Sequence, residues 1–357
     1  LSRSVASRSD YNFVFSPVST WIMLAAIAEG SEPLTQQKLF QLLDMPSDPC
    51  VRQTYYQIAT SRAFPSDDVN IKSTRALLID EFTTLNPSWY DFVIKNSLLD
   101  VVKAPIRYNP VATANEIKRI MSARLPKLDL TGNSVLLDTL DYNGLWTTAF
   151  LDAIVERAPF YDRSGQQIGA VDLMRVKRRA RMGYIKSIHA KVLELPVGVD
   201  GRYRMLFCEI IPSNDVKSAV VAAHRELVFE MIRSLRPSFV LLDVAIPRMV
   251  ITSEVNVRVI LEDLGITDLW RDKAATWQIS DPPAFPSSFV QRSTVVFNNT
   301  GVLWSAEEEN PPYLRSGLEP ILGTEFIADR PFLFALFDAE TYTCIITGAY
   351  TSPTYKY

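Results

Sequence analysis

The chain has 357 residues, 47% hydrophobic and 22% charged, which is enough apolar material to bury a sizeable core. Its formal net charge of −3 gives no overall electrostatic reason to bind nucleic acid or an anionic membrane. No apolar run reaches the roughly 18–20 residues needed to cross a bilayer.

The first strong element starts at Ser16-Pro17, a helix-capping residue followed by a proline at the first helical position, where its missing N–H costs nothing. Val18, Ile22, Ala25 and Ala26 recur at helical spacing, so residues 18–28 read as a core helix, and Gly30 is placed to stop it. Thr35 is expected to cap a second helix that buries Leu39, Leu42 and Leu43. Helical stretches follow over 112–124, 216–234 and 255–264, the last with Gly265 just beyond it. Segments 135–142, 192–197, 204–211, 332–337 and 343–347 are rich in β-branched and aromatic residues and read as strands. Long helices come first, strands cluster late and regular β-α alternation is absent, which makes the chain α+β. With no internal repeat and no long polar linker, residues 1–357 are expected to form a single domain.

Cys50, Cys208 and Cys344 are too far apart for a metal spacing or a disulfide framework; Cys208 and Cys344 sit in apolar runs and read as buried thiols. His189 and His224 are too few for a metal cluster and have no nucleophile triad near them. No cofactor, no metal and no enzyme activity are expected.

Several blocks, in order, resemble the serpin family. They are Asn12-Phe13-Val14-Phe15-Ser16-Pro17 with Gly30 and Thr35, Asp138 to Trp146 with Phe150, and Leu193-Glu194-Leu195-Pro196 followed by 205–212. Leu261 to Trp270 and Asp329-Arg330-Pro331-Phe332-Leu333-Phe334, ending in Gly348 and Pro353, complete the set. The resemblance implies three β-sheets, about nine helices and an exposed reactive-centre loop, here about residues 301–325. In inhibitory relatives a protease cleaves that loop and becomes acylated, and the loop then inserts into the central sheet.

Insertion makes demands on the residues. In the family register the hinge glycine matches Gly301, and Val302, Trp304, Ala306 and Glu308 would face inward. Val302 and Ala306 fit. Trp304 is bulky where a small residue is expected, at about 1–3 kcal/mol of overpacking, and Glu308 would bury a charge. Asn310-Pro311-Pro312 then removes strand donors, so full insertion is disfavoured. Where relatives pair an asparagine with a histidine at the opening of the sheet, this chain has Asp138 and Gln291. They form either a rewired hydrogen bond or two solvent-facing side chains.

Two reactive bonds compete. The usual family distance from Gly301 lands on Arg315-Ser316, a bait for trypsin-like serine proteases. The second candidate, Thr324-Glu325 behind the apolar Leu322, suits papain-like or cathepsin L-like cysteine proteases. The pattern resembles that of some insect serpins, silk-gland ones among them, that inhibit cysteine proteases. The resemblance therefore implies a monomeric inhibitor whose partner is a target protease; the alternative is a non-inhibitory carrier, chaperone or storage protein.

Arg175, Lys177, Arg179 and Arg181 recur at alternate spacing, which would put four charges on one strand face, either a solvated face or a polyanion site. Asn298-Asn299-Thr300 is a glycosylation sequon, but it falls in a predicted strand, which argues against occupancy. The start at Leu1 reads as a trimmed N-terminus, explained equally by a removed signal peptide or by recombinant trimming; secretion is the expectation.

Overall fold

A computed structural model describes residues 1–9, 12–61, 68–122, 128–150, 155–186, 189–210, 232–271, 273–303 and 325–356. Its centre is a five-stranded sheet in the order Met249–Asn256, Pro286–Phe297, Ser134–Gly144, Val69–Asp80, Asp100–Ala104. The middle pair, Ser134–Gly144 and Pro286–Phe297, runs parallel, in unbroken register from Val135 opposite Ser288 to Tyr142 opposite Val295. Both neighbours of this pair run antiparallel to it.

Alternation along these strands sends side chains to two faces. Val135, Leu137 and Val290 pack against Ile117, Ile120 and Met121 of the helix Pro110–Met121. Leu136 and Phe289 point the other way, into a core shared with the helix Pro17–Glu29. Further along that same face, Leu140, Tyr142, Val295 and Phe297 belong to a second apolar cluster. Asp138 and Gln291 lie between the two clusters.

The second sheet runs in the order Phe13–Phe15, Cys344–Tyr350, Phe332–Asp338, Tyr203–Ile210, Ala190–Val197, Trp146–Thr148, Gly301–Leu303. The third places Glu325–Ile327 beside Leu242–Pro247, which pairs with Gln167–Arg178. The chain thus leaves the second sheet after Leu303 and enters the edge of the third at Glu325. Among the described residues the expected α+β fold with three principal sheets is observed, together with a separate two-stranded ribbon.

The helix Pro17–Glu29 begins as its sequence suggests. Ser16 Oγ accepts from the Ser19 amide and Pro17 takes the first turn. Nearly every side chain in it is buried, so it packs on all sides as a core rod. Gly30 ends it with φ −108°, not in a left-handed conformation. A Cβ there would stand 2.3 Å from Ile279 and 2.6 Å from Trp89, so close packing is what requires the glycine.

Thr35 is not the cap of the next helix, Pro33–Leu43. The cap is Glu32, whose carboxylate accepts from the Thr35 amide and hydroxyl, both at 2.9 Å. A carboxylate immediately before the first turn outcompetes a hydroxyl within it, because it meets the free amides and the positive end of the helix dipole together. The third helical stretch is shorter at its start than its periodicity suggests. Val255 and Asn256 still belong to the strand Met249–Asn256, and the helix is Val257–Asp263. Of the stretch 216–234, only 232–234 lie within the described residues, and they are helical.

Candidate functional site

The buried polar cluster at the parallel strand pair is built from three elements. Asp138 and Gln291 are directly opposite in register, and both are 0% exposed. Gln291 Nε2 lies 2.6 Å from Asp138 Oδ2, 2.8 Å from Thr20 Oγ1 and 2.9 Å from the Ser16 carbonyl. Its Oε1 accepts from the Ser16 amide at 2.7 Å and from Ser293 Oγ at 3.1 Å. Ser19 Oγ donates to the other carboxylate oxygen of Asp138 at 2.5 Å. The first turn of the helix Pro17–Glu29 is therefore pinned across both strands. Neither side chain faces solvent.

Burial pushes the Asp138 carboxyl up to about 6; hydrogen bonds from Ser19 and Gln291, the positive charge of Arg75 and a bond from Thr20 pull the other way. Arg75 stands opposite Asp138 on the next strand, Val69–Asp80. Its guanidinium donates to Leu98 O, Ser97 O and Ser73 Oγ at 2.9–3.2 Å, and burial lowers its own pKa. Arg75, Asp138 and Gln291 thus form one polar rung across three adjacent strands.

The loop root sits at the end of this sheet. After Phe297 the chain turns away from the central sheet, and Gly301–Leu303 pairs in parallel with Trp146–Thr148. Three successive carbonyls hold the turn: Asn298 O accepts from Trp146 Nε1 (2.7 Å), Asn299 O from the Phe150 amide (3.0 Å), and Thr300 O from the Trp146 amide (3.1 Å). The Trp146 ring stacks on Phe297 at 5.9 Å and meets Phe150 edge-on at 5.7 Å. A Cβ on Gly301 would lie 2.4 Å from the Ala149 nitrogen, so only glycine lets the two backbones approach this closely. Arg178, fully buried, donates to Thr148 O at 3.1 Å and braces the same corner from the strand Gln167–Arg178.

Of the residues singled out in the loop, Gly301 and Val302 lie in the strand Gly301–Leu303, and Glu325 is the exposed first residue of Glu325–Ile327. Trp304, Glu308, Arg315, Ser316 and Thr324 lie outside the described residues. Lys191 Nζ donates to Glu325 O at 3.2 Å, tying the distal end to the second sheet.

The basic cluster is not one strand face. The strand carrying Arg175 and Lys177 ends at Arg178, and the chain then changes sheets, so Arg181 opens the strand Arg181–Ile185 of the second sheet. Arg181 Nη1 lies 3.0 and 2.9 Å from the two carboxylate oxygens of the buried Glu194. Arg175 stands 3.5 Å from both Glu156 and Asp243. Lys177 and Arg179 are exposed. The alternate spacing misleads because strand periodicity holds only while the strand lasts.

Burial pushes the Cys208 and Cys344 thiols up to about 12, away from reactive thiolate chemistry. His189 Nδ1 lies 3.2 Å from the Tyr184 hydroxyl at the surface; His224 lies outside the described residues. Among the described residues no group of three or more His, Cys, Asp or Glu could hold a metal ion, and no helix is long and apolar enough to cross a membrane.

Residues 1–353 match the family model described as Serpin (serine protease inhibitor). Iripin-3 of Ixodes ricinus is 27% identical over 363 residues, covering 94% of this chain and 88% of its own. Leukocyte elastase inhibitor of Xenopus laevis is 23% identical over 368 residues, covering 97% and 94%. The crystal structure of Manduca sexta serine protease inhibitor (serpin)-12 superposes with a TM-score of 0.82 at 18% identity, covering 99% of this chain and 96% of that one.

Proposed function

Since this chain belongs to the serpin family, we propose that it inhibits a protease by presenting residues 301–325 as a pseudo-substrate, with limited insertion of that loop. The observation that carries this reading is the closed parallel pair Ser134–Gly144 and Pro286–Phe297, joined through Asp138 and Gln291 while the loop root lies in another sheet. A strand entering between them must separate that buried pair. Each polar group left without a partner costs about 1–3 kcal/mol, which adds to the burden of Trp304 and Glu308 on the inserting side. A loop that stays outside acts as a plug, holding the protease by complementarity to a preorganised bait.

The bait is Arg315-Ser316 for a trypsin-like serine protease or Thr324-Glu325 for a papain-like or cathepsin L-like cysteine protease, as in the silk-gland type. The name of the Xenopus relative, an inhibitor of leukocyte elastase, supports a protease as partner. We place the protein outside the cell and as a monomer of one domain. Polyanion binding by Arg175, Lys177, Arg179 and Arg181 is not part of this reading, since Arg175 and Arg181 are engaged by carboxylates.

The hinge also favours a second reading. Trp304 and Glu308 in place of small residues suit a serpin with a carrier, chaperone or storage role. Incubation with trypsin and with a cathepsin L-like protease, read as residual protease activity, separates the two. Loss of activity of either enzyme supports inhibition; full retention of both supports the non-inhibitory role.

A further inference from the structure

We propose that Asn298 is a site of N-linked glycosylation, placing an oligosaccharide beside the loop root; the inference rests on the extracellular reading above. The sequence predicts a strand through the sequon, but the strand Pro286–Phe297 ends one residue before Asn298. Asn298 to Thr300 form a surface turn, with Asn298 partly exposed and Thr300 exposed.

Two features of this turn suit the modification. The backbone is held from inside, its three carbonyls engaged by Trp146 and Phe150, so the Asn298 side chain is not what fixes the turn. The side chain itself makes an Asx-type turn: its Oδ1 accepts from the Thr300 amide at 3.1 Å and from Thr300 Oγ1 at 2.5 Å, both at the solvent surface. Among the described residues no group accepts from Asn298 Nδ2. The hydroxyl that the sequon requires is thus already directed at the amide oxygen, polarising the amide, while the nitrogen to be modified gives up no hydrogen bond to the described residues. Because these hydrogen bonds span only two residues, they are available to the chain before it folds.

In the transfer, Nδ2 attacks C1 of the sugar in a polyprenyl-diphosphate-linked oligosaccharide. The N–C1 bond forms, the C1–O bond to diphosphate breaks, the polyprenyl diphosphate leaves and Nδ2 loses one proton. The sugar would then flank Gly301, at the corner where the chain leaves the central sheet.

The test is to send the full chain through a eukaryotic secretory pathway on a heterologous leader, so that occupancy is read independently of native export and of any inhibition assay. The secreted protein is treated with peptide N-glycosidase in ¹⁸O water and the peptide containing Asn298 is analysed by mass spectrometry. Labelled aspartate at position 298 is expected. N298Q and T300V should abolish the accompanying gel shift and T300S should keep it, with equal melting temperatures showing that the variants fold. An unmodified Asn298 peptide from secreted, folded protein overturns the inference.

Discussion

Asp138 and Gln291 stand opposite each other on two parallel strands, joined at 2.6 Å, in a polar rung that separates two apolar clusters of the core. The same two strands are the ones a reactive loop would have to part. Their contact does more than fill space, because Gln291 also holds both the amide and the carbonyl of Ser16, and Asp138 also holds Ser19. Opening the sheet at this level therefore disturbs the start of the helix Pro17–Glu29 as well.

The pairing should appear as coupling between the two side chains. Q291A leaves the Ser16 amide without its partner and Asp138 Oδ2 with only the 3.4 Å bond from Thr20, and is expected to lower unfolding stability by about 2–4 kcal/mol. The double variant D138N/Q291H installs the pair that the family resemblance implies. It should be more stable than the sum of its single variants, with a coupling of about 1–3 kcal/mol in urea unfolding. Additive effects would contradict a direct pair.

The sign of the pH dependence follows from Asp138. Its carboxyl is raised by burial from the ordinary 3.8 to about 6, so between these values the folded state holds more proton than the unfolded chain. The stabilisation from this group is complete below 3.8 and is lost as pH rises through 6. In D138N it is absent. The stability of the wild type relative to D138N is thus expected to fall by up to about 3 kcal/mol between pH 4 and pH 7. Urea titrations of both proteins across that range check it; a difference independent of pH would contradict it.

At the loop root, G301A should be more damaging than an ordinary surface change. The added methyl meets the Ala149 backbone at 2.4–2.6 Å, so Gly301–Leu303 must move away from Trp146–Thr148. A loss of about 1–3 kcal/mol is expected, together with faster exchange of the Trp146 and Phe150 amides, which Thr300 O and Asn299 O protect. W146A removes the stacking on Phe297 and the bond to Asn298 O, and should cost about 3–5 kcal/mol. Hydrogen exchange and urea unfolding read both.

Local chemistry was legible in the sequence. The Ser16-Pro17 start, the buried helix behind it and the strands around Asp138 and Met205 all follow from capping, periodicity and β-branched content. Asp138 and Gln291 came from the register of the family resemblance. What stayed hidden depends on contacts between distant segments. Nothing near Asp138 in sequence announces Arg75, Ser19 or Thr20, because the rung is assembled by strand register and by one helix crossing the sheet. The basic run misled because the change of sheet after Arg178 leaves no mark in an alternating pattern. Thr35 reads as a cap because its hydroxyl precedes the apolar run, but the carboxylate of Glu32, just before Pro33, is the better acceptor. The β-branched run before Asn298 contains no turn residue to end it, so periodicity carries the strand through the sequon; the strand stops at Phe297.

We propose above that this serpin engages a protease with its loop held largely outside the central sheet. The most direct measurement cleaves the loop with a limiting amount of protease, compares thermal unfolding before and after, and runs the protease mixture on a denaturing gel. The expected result is inhibition with only a small rise in melting temperature and no complex with a serine protease that survives SDS. A large rise on nicking, together with an SDS-resistant serine protease complex, would show full insertion and contradict the account.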